Sequence, residues 1–298
     1  MGVFSTVRSV AQMAKNFAVL PRATKLLVVN PKHFDVKYVI NPHMEGKIGT
    51  VDFAKAAAQW RDLKGIYEKL GFDVYEFDGA QGFPDMVYSA NHGLSFRGAD
   101  EGKSVKEVFM SNMGTEQRRG EVPFFEEWYK KQGYKIHHLP NDLKFEGMGD
   151  ALWHGSRKLL WGGHGFRSSP KTYEIISNAW NVPIITLELL DPDFYHIDTC
   201  LSILDNDTAL VFPGAFTVEG NEIIRSVFSK VIEAPEQEAR RNMACNAFCP
   251  DEKNVIIQAG SEVTNERLEK AGFTVVPVDT TEFMKGGGSV FCMKMFTW

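Results

Sequence analysis

Gly71-Phe72-Asp73-Val74-Tyr75-Glu76-Phe77 and Gly133-Tyr134-Lys135-Ile136-His137-His138-Leu139 share one pattern: a glycine, an aromatic residue, then a run with apolar positions. Each follows a stretch with helical periodicity, residues 53–70 in one case and from about residue 123 in the other. A glycine at the end of such a stretch stops a helix, and the run behind it predicts a strand. The full pattern recurs at Gly272-Phe273-Thr274-Val275-Val276-Pro277, and a strand-like run behind a helical segment recurs without the glycine at Val182-Pro183-Ile184-Ile185-Thr186-Leu187, after a helical segment over 170–180, and at Ser229-Lys230-Val231-Ile232. Strand-like runs also precede each helix, at 26–30, 108–111, 158–161, 209–212 and 255–258. The chain therefore reads as strand, helix, strand, repeated along its length at intervals of roughly 45 to 60 residues. Units of that size cannot bury their own apolar faces and must pack on neighbours. Such units can close into a ring with sheets inside and helices outside. One closed α/β domain over 25–298 is therefore expected, with residues 1–24 as an N-terminal extension. An open doubly wound sheet is the alternative, but no GxGxxG follows an early strand.

The composition is that of a soluble globular chain, with 44% hydrophobic and 24% charged residues among 298. A formal charge of −5 argues against a general nucleic-acid binder. No apolar run approaches the ~18 residues that span a bilayer. Four cysteines, Cys200, Cys245, Cys249 and Cys292, are too few and too unevenly spaced for a disulfide framework, and they suit a reducing compartment such as the cytoplasm. Cys245 and Cys249 lack a second ligand pair for zinc and read as structural. A homo-oligomer is compatible with this composition.

The first acidic residue is Asp35. Before it, Arg8, Lys15 and Arg22 recur every seven residues, and Val3, Val7, Val10, Ala14 and Phe17 form a helical apolar stripe. Such a leader suits a mitochondrial transit peptide, a membrane-surface helix, or an accessory helix docked on the domain. Met1-Gly2 with Thr6 also fits the loose myristoylation pattern.

Polar residues gather behind the second strand of the units. Phe83 to Asn91 holds Asp85 and Asn91, Phe145 to Asp150 holds Glu146 and Asp150, and Phe194 to Thr199 holds His196 and Asp198. The last unit ends in Gly286-Gly287-Gly288-Ser289-Val290-Phe291-Cys292-Met293. In a ring these positions converge, bringing a thiol, an imidazole and several carboxylates into one cavity. At period two, His196 and Asp198 would face one side of a strand.

Three motifs, Glu146-Gly147-Met148-Gly149-Asp150, His196-Ile197-Asp198-Thr199 and the triple glycine leading to Cys292-Met293, stand in the order found in the pentein superfamily. The sequence resembles its guanidine-modifying enzymes: arginine deiminases, dimethylarginine dimethylaminohydrolases, glycine amidinotransferases and arginine dihydrolases. The resemblance covers about residues 25–298 and implies a five-bladed α/β propeller without metal or organic cofactor. It implies that Glu146 and Asp198 orient a planar guanidinium by hydrogen bonds. Cys292 would attack its carbon to give a covalent thiouronium-type intermediate. His196, in this reading, donates a proton to the departing amine and later takes one from water. The bound cation and a protonated His196 would favour the thiolate.

Arg118, or its neighbour Arg119, and Arg167 match arginines that similar enzymes direct at the substrate's carboxylate. Asp150 is open between a substrate contact and an anchor for its own glycine turn. Most deiminases and amidinotransferases carry an aspartate where this chain has Asn91. Asparagine offers both a donor and an acceptor, so it can also hold the ureido carbonyl of citrulline. With Asn41 in Ile40-Asn41-Pro42-His43-Met44 near the amino-acid end of the substrate, the chain looks most like the arginine dihydrolase branch. A single hydrolysis to citrulline, of arginine or of methylated arginine, is the alternative, as is an amidinotransferase; a non-catalytic, ribosome-binding pentein fits least. Lys294 departs from the pattern, because relatives usually place a small hydroxyl residue there.

Overall fold

A computed structural model describes residues 2–13, 17–100 and 103–298. The described residues form five separate small sheets, and none of these sheets closes on itself. In the first, Lys25–Asn30 runs parallel to Asp73–Asp78 across the helix Phe53–Lys69. The second joins Lys103–Met110 to Lys135–His137 across Val122–Lys131, and the third joins Leu160–His164 to Ile184–Glu188 across Pro170–Trp180. The fourth uses Thr208–Val211, Val218–Val227 and Lys230–Glu233, and the fifth Asn254–Gln258, Glu262–Lys270 and Thr274–Val278. Each strand–helix–strand unit anticipated from the sequence is present. The third begins later than read, at Leu160 rather than Lys158.

The glycine stops behave as their positions require. Gly71, Gly133 and Gly272 lie at φ +87, +75 and +100, a left-handed turn that an ordinary side chain resists. In the third unit Asn181 takes that place at φ 50, since asparagine tolerates this region better than most residues.

Four of the sheets carry an additional antiparallel strand. Gly93–Asp100, Ala151–Trp153 and Leu201–Ile203 pair in front of the second, third and fourth units. For the first unit this strand comes from the other end of the chain: Met295–Thr297 pairs with Leu27, Leu26 and Lys25. The connection that ends in Cys292 is thereby fastened to the first unit.

The N-terminal segment is built into the fold. Val3–Phe4 pairs with Ile184 and Ile185 as a fourth strand of the third sheet. Of the helix expected from Val3 to Phe17, the described residues show Val7–Ala11, capped by Thr6 and packed on Val218–Val227. Val3 is in a strand because its backbone N–H and C=O groups have a sheet edge to pair with. Met1, Ala14 and Lys15, which entered the leader readings, lie outside the described residues. No helix among the described residues is long and apolar enough to cross a membrane.

Met295 is fully buried among Leu27, Phe96 and Phe145. Met295→Ala should cost about 2–5 kcal/mol of stability, read as a lower urea midpoint with an unchanged slope.

Candidate active site

The five connections that leave a unit's second parallel strand all converge on one cluster. They contribute Asp85 and Asn91, Glu146 and Asp150, His196 and Asp198, Asn246, and Cys292. Asn41, Asn91, Arg118, Glu146, Asp150, Arg167, His196, Asp198 and Cys292 are all buried.

Cys292 is placed by its glycines. Gly287 lies at φ +91, and a side chain on it would come within 2.7 Å of the Asn41 amide and 2.8 Å of the Tyr195 hydroxyl. A Cβ on Gly288 would sit 2.5 Å from the Tyr88 ring. Only glycine lets these three side chains press against the turn. They also hold it: Asn41 Nδ2 donates to Gly286 O at 3.1 Å and Tyr195 Oη to Gly287 O at 2.5 Å. Asn41 is therefore against the thiol's loop, and its own Oδ1 caps the short turn Pro42–Met44.

The thiol donates to Asp198 Oδ2 at 3.1 Å and accepts from Asn246 Nδ2 at 3.2 Å. Burial pushes the Cys292 pKa up, and the Asp198 carboxylate adds to this. Burial likewise pushes Asp198 up to about 7, against the pull of the Cys292 hydrogen bond and of Lys294. The resting pair thus favours the protonated thiol, and the contacts of Sγ are Asp198 and Asn246 rather than His196.

His196 and Asp198 do not lie side by side on a strand, as their spacing suggested. His196 has an extended backbone and caps a single 3-10 turn, Ile197–Thr199, that carries Asp198. The turn separates the two side chains, so His196 Nε2 meets Glu146 Oε2 at 2.7 Å while Asp198 meets the thiol. Asp150 is what fixes this turn. One of its oxygens accepts from Ile197 N at 3.1 Å and the other from Ser168 Oγ at 2.6 Å. Neither oxygen braces the Gly147–Gly149 turn, and both are taken.

Glu146 is bonded by three donors. It accepts from Gly114 N at 2.9 Å, Arg167 Nη1 at 3.0 Å and His196. Burial alone would raise its pKa, but Arg167 and His196 outweigh that and hold the carboxyl below the usual carboxylate range. Arg167 also donates to Ile40 O at 2.8 Å and lies over the Tyr195 ring at 4.7 Å. Arg118, rather than Arg119, enters the cluster: its Nη1 donates to Asn91 Oδ1 at 2.8 Å and its Nε to Glu121 Oε2 at 3.1 Å. Arg119 donates only to Met113 O, at 3.3 Å. In this closed arrangement both expected carboxylate-binding arginines are spent on the protein's own groups. Asp85 accepts from Tyr38 Oη at 2.9 Å beside Arg118.

Arg118 takes the Asn91 oxygen, which fixes the amide with its nitrogen on the other side. Asn91 Nδ2, His196 Nδ1 and Asp198 Oδ1 are buried and without a hydrogen-bond partner among the described residues. Gly149 clears space beside the first two, since a Cβ there would collide with Asn91 Nδ2 and stand 3.1 Å from His196 Nδ1. Buried polar atoms are rarely left unpaired without a functional reason. Among the described residues, no group of His, Cys, Asp and Glu could hold a metal ion.

Asn246 was not singled out from the sequence. Its Oδ1 accepts from the backbone N–H groups of Ser289, Phe291 and Cys292 at 3.1, 3.2 and 3.3 Å, while its Nδ2 reaches Cys292 Sγ and Asp198 O. The signal available was positional: it lies in the fourth connection, the one connection that contributed nothing to the expected set.

An α/β architecture carrying a buried Cys, His and paired carboxylates at the ends of repeated units is that of the guanidine-modifying penteins. Residues 40–297 match the family described as N,N dimethylarginine dimethylhydrolase, eukaryotic, and the chain belongs to that family. It is 36% identical over 273 residues, 91% of its length, to the bifunctional arginine dihydrolase/ornithine cyclodeaminase ArgZ of Synechocystis sp., of which it spans 37%. It is 34% identical over 275 residues to the N(G),N(G)-dimethylarginine dimethylaminohydrolase of Mycobacterium tuberculosis, covering 92% of this chain and 86% of that one. The solved N-terminal domain of ArgZ with bound substrate, an arginine dihydrolase, superposes with a TM-score of 0.84 at 35% identity, over 91% of this chain and 97% of that domain. A variant of the same domain was solved covalently bonded to a reaction intermediate.

Asn246→Ala should leave the Ser289 and Cys292 N–H groups without their acceptor, while Phe291 N keeps the Asn246 backbone carbonyl. A loss of at least about 2 kcal/mol is expected, with urea unfolding as the measurement.

Proposed function

We propose that the protein hydrolyses the guanidino group of L-arginine in two rounds, giving ornithine, carbon dioxide and two ammonia, with Cys292 as nucleophile. The observation that carries this reading is the trio of unpaired atoms. A planar guanidinium offers N–H donors to Asp198 Oδ1. A ureido group adds a carbonyl, for which the free Asn91 Nδ2 is a donor. An aspartate at that position would supply oxygens only. The solved dihydrolase domain, at 35% identity, supports the same assignment.

The steps follow from the contacts. Entry of a cation beside Asp198 favours the charged thiol–carboxylate pair, and Asn246 Nδ2 stabilises the sulfur's charge. The thiolate adds to the guanidino carbon and forms the S–C bond. His196, through its free Nδ1, donates the proton with which the amine leaves as the C–N bond breaks. Water then attacks the thiouronium carbon, His196 accepts its proton, and the S–C bond breaks to release citrulline and the thiolate. In the second round the thiolate adds to the ureido carbon of citrulline and ammonia leaves; water then breaks the S–C bond, and the carbamic acid of ornithine so formed loses carbon dioxide by breaking its C–N bond.

For substrate to bind, Arg167 would give up Glu146 to the incoming guanidinium, a group of its own kind, and turn to the substrate's carboxylate with Arg118. Glu146, kept ionised by its neighbours, is suited to receive it. The five sheets would stand as blades of a propeller around this site. Free thiols at all four cysteines suit a cytoplasmic setting.

A second reading, hydrolysis of methylated arginine to citrulline, is favoured by the family match over residues 40–297. Product analysis separates the two. L-arginine should yield ornithine with two equivalents of ammonia, and Cys292→Ser should abolish this. Citrulline as the end product would sink the two-round reading. Turnover confined to methylated arginine would replace arginine as the substrate.

The pH dependence is fixed by Asp198, whose carboxyl burial pushes up to about 7. A protonated Asp198 has lost the charge that pairs with the guanidinium, so kcat/KM for arginine should rise with pH through about 7. A profile flat from pH 5.5 to 8 would contradict this role.

A further inference from the structure

Lys294 follows the nucleophile by two residues and is fully buried. Its ammonium nitrogen has no hydrogen-bond partner among the described residues. It lies instead against three rings, 3.1 Å from the centroid of Phe291, 3.9 Å from Phe296 and 4.6 Å from Phe248. An uncompensated lysine in the core is costly. Aromatic faces are the neutral surface that best tolerates a cation, most strongly when water is excluded. The aliphatic role of a buried stem would be met as well by Met or Leu, without that cost.

We infer that Lys294 is a positioning residue for the Cys292 thiolate: an ammonium caged by Phe248, Phe291 and Phe296, whose charge acts on the Cys292–Asp198 pair. The inference rests on Cys292 being the nucleophile.

The other groups facing this pair do not supply the charge. Tyr67, Tyr88 and Tyr195 surround the thiol, but each hydroxyl donates to a backbone carbonyl, and burial raises all three further. Asn246 is uncharged. His196 and Glu146 engage each other, and the arginines sit on Glu146, Asn91 and Glu121. That leaves Asp198 as the anion and Lys294 as the cation. Burial pulls the lysine toward its neutral form more strongly than Asp198 and Cys292 pull it toward the charged one. The three ring faces add to the second side. With Lys294 charged, removing the shared proton from Cys292 and Asp198 leaves one net negative charge rather than two in the buried cluster.

The test is a pH titration of the ultraviolet thiolate absorbance of the full chain, taken as the difference from the same protein carrying Cys292→Ser. Lys294→Met keeps the stem and loses the charge. It should move the Cys292 inflection to higher pH by about one unit or more. An unmoved or lowered inflection in a variant with native circular dichroism overturns the inference, because packing alone would not supply charge to the thiol. If Lys294→Met does not fold, Phe296→Leu removes one face of the cage and should shift the inflection upward by less; no shift there overturns it equally. The titration needs no substrate. Failure of arginine turnover would remove the proposed reaction and leave this result readable, and the reverse also holds.

Discussion

The buried carboxylate of Glu146 is the constraint around which the cluster is built. A lone carboxylate at that depth would take up a proton. It stays ionised because Arg167, His196 and the Gly114 N–H all spend donors on it. Those three come from different connections, so satisfying one charge draws the second and third units together. The same bonds dictate the orientation of His196, whose Nε2 is occupied and whose Nδ1 lies beside Gly149 without a partner among the described residues. Removing the charge would free Arg167 and leave His196 without its orienting partner, a larger change than the loss of a single contact.

Cys292 obeys the opposite electrostatic rule. Around Glu146 the protein supplies cations; around the thiol it supplies an anion, Asp198, at 3.1 Å. Among the described residues no cation bonds the sulfur itself, and burial with Asp198 favours the protonated thiol, so further positive charge beside the pair would favour the thiolate. A guanidinium brings that charge with it. On the proposed reaction, this couples activation to a cationic substrate and leaves the resting thiol in the form less open to alkylation and oxidation. Four polar side chains from three connections bear on one sulfur and its loop: Asn41, Tyr195, Asp198 and Asn246.

Much of this was legible in the chain. The repeated glycine stops are visible because a left-handed turn leaves few choices of residue, and the parallel strands behind them are long enough to show an apolar run. Ala151–Trp153 and Leu201–Ile203 were not legible, since three residues carry no period. Val3–Phe4 was absorbed into a helical stripe for the same reason. At the site, Glu146, His196 and Cys292 stood out through the motifs they carry. The pairing of His196 with Asp198 was misread because spacing of two signals one face only on a strand, and here Asp150 pins a turn between them. Asn246 gave no chemical signal at all; an asparagine between Cys245 and Ala247 reads as loop. Its role exists only once the fourth connection lies beside the fifth.

That fourth connection also explains how a site of this kind tolerates so much buried polarity. Asn246 satisfies three N–H groups of the thiol's loop with one oxygen and uses its nitrogen on the sulfur and on Asp198 O. The loop needs glycines to bring Tyr88, Tyr195 and Asn41 close, and glycines leave a backbone with no side chains of its own to fix it. An amide from a neighbouring unit supplies the missing rigidity without adding charge. A carboxylate in its place would accept the same three bonds but would set a second anion beside the thiol, and a hydrophobic residue would leave the loop unheld. Among the side chains that fit there, the amide alone can both anchor the loop and donate to a thiolate.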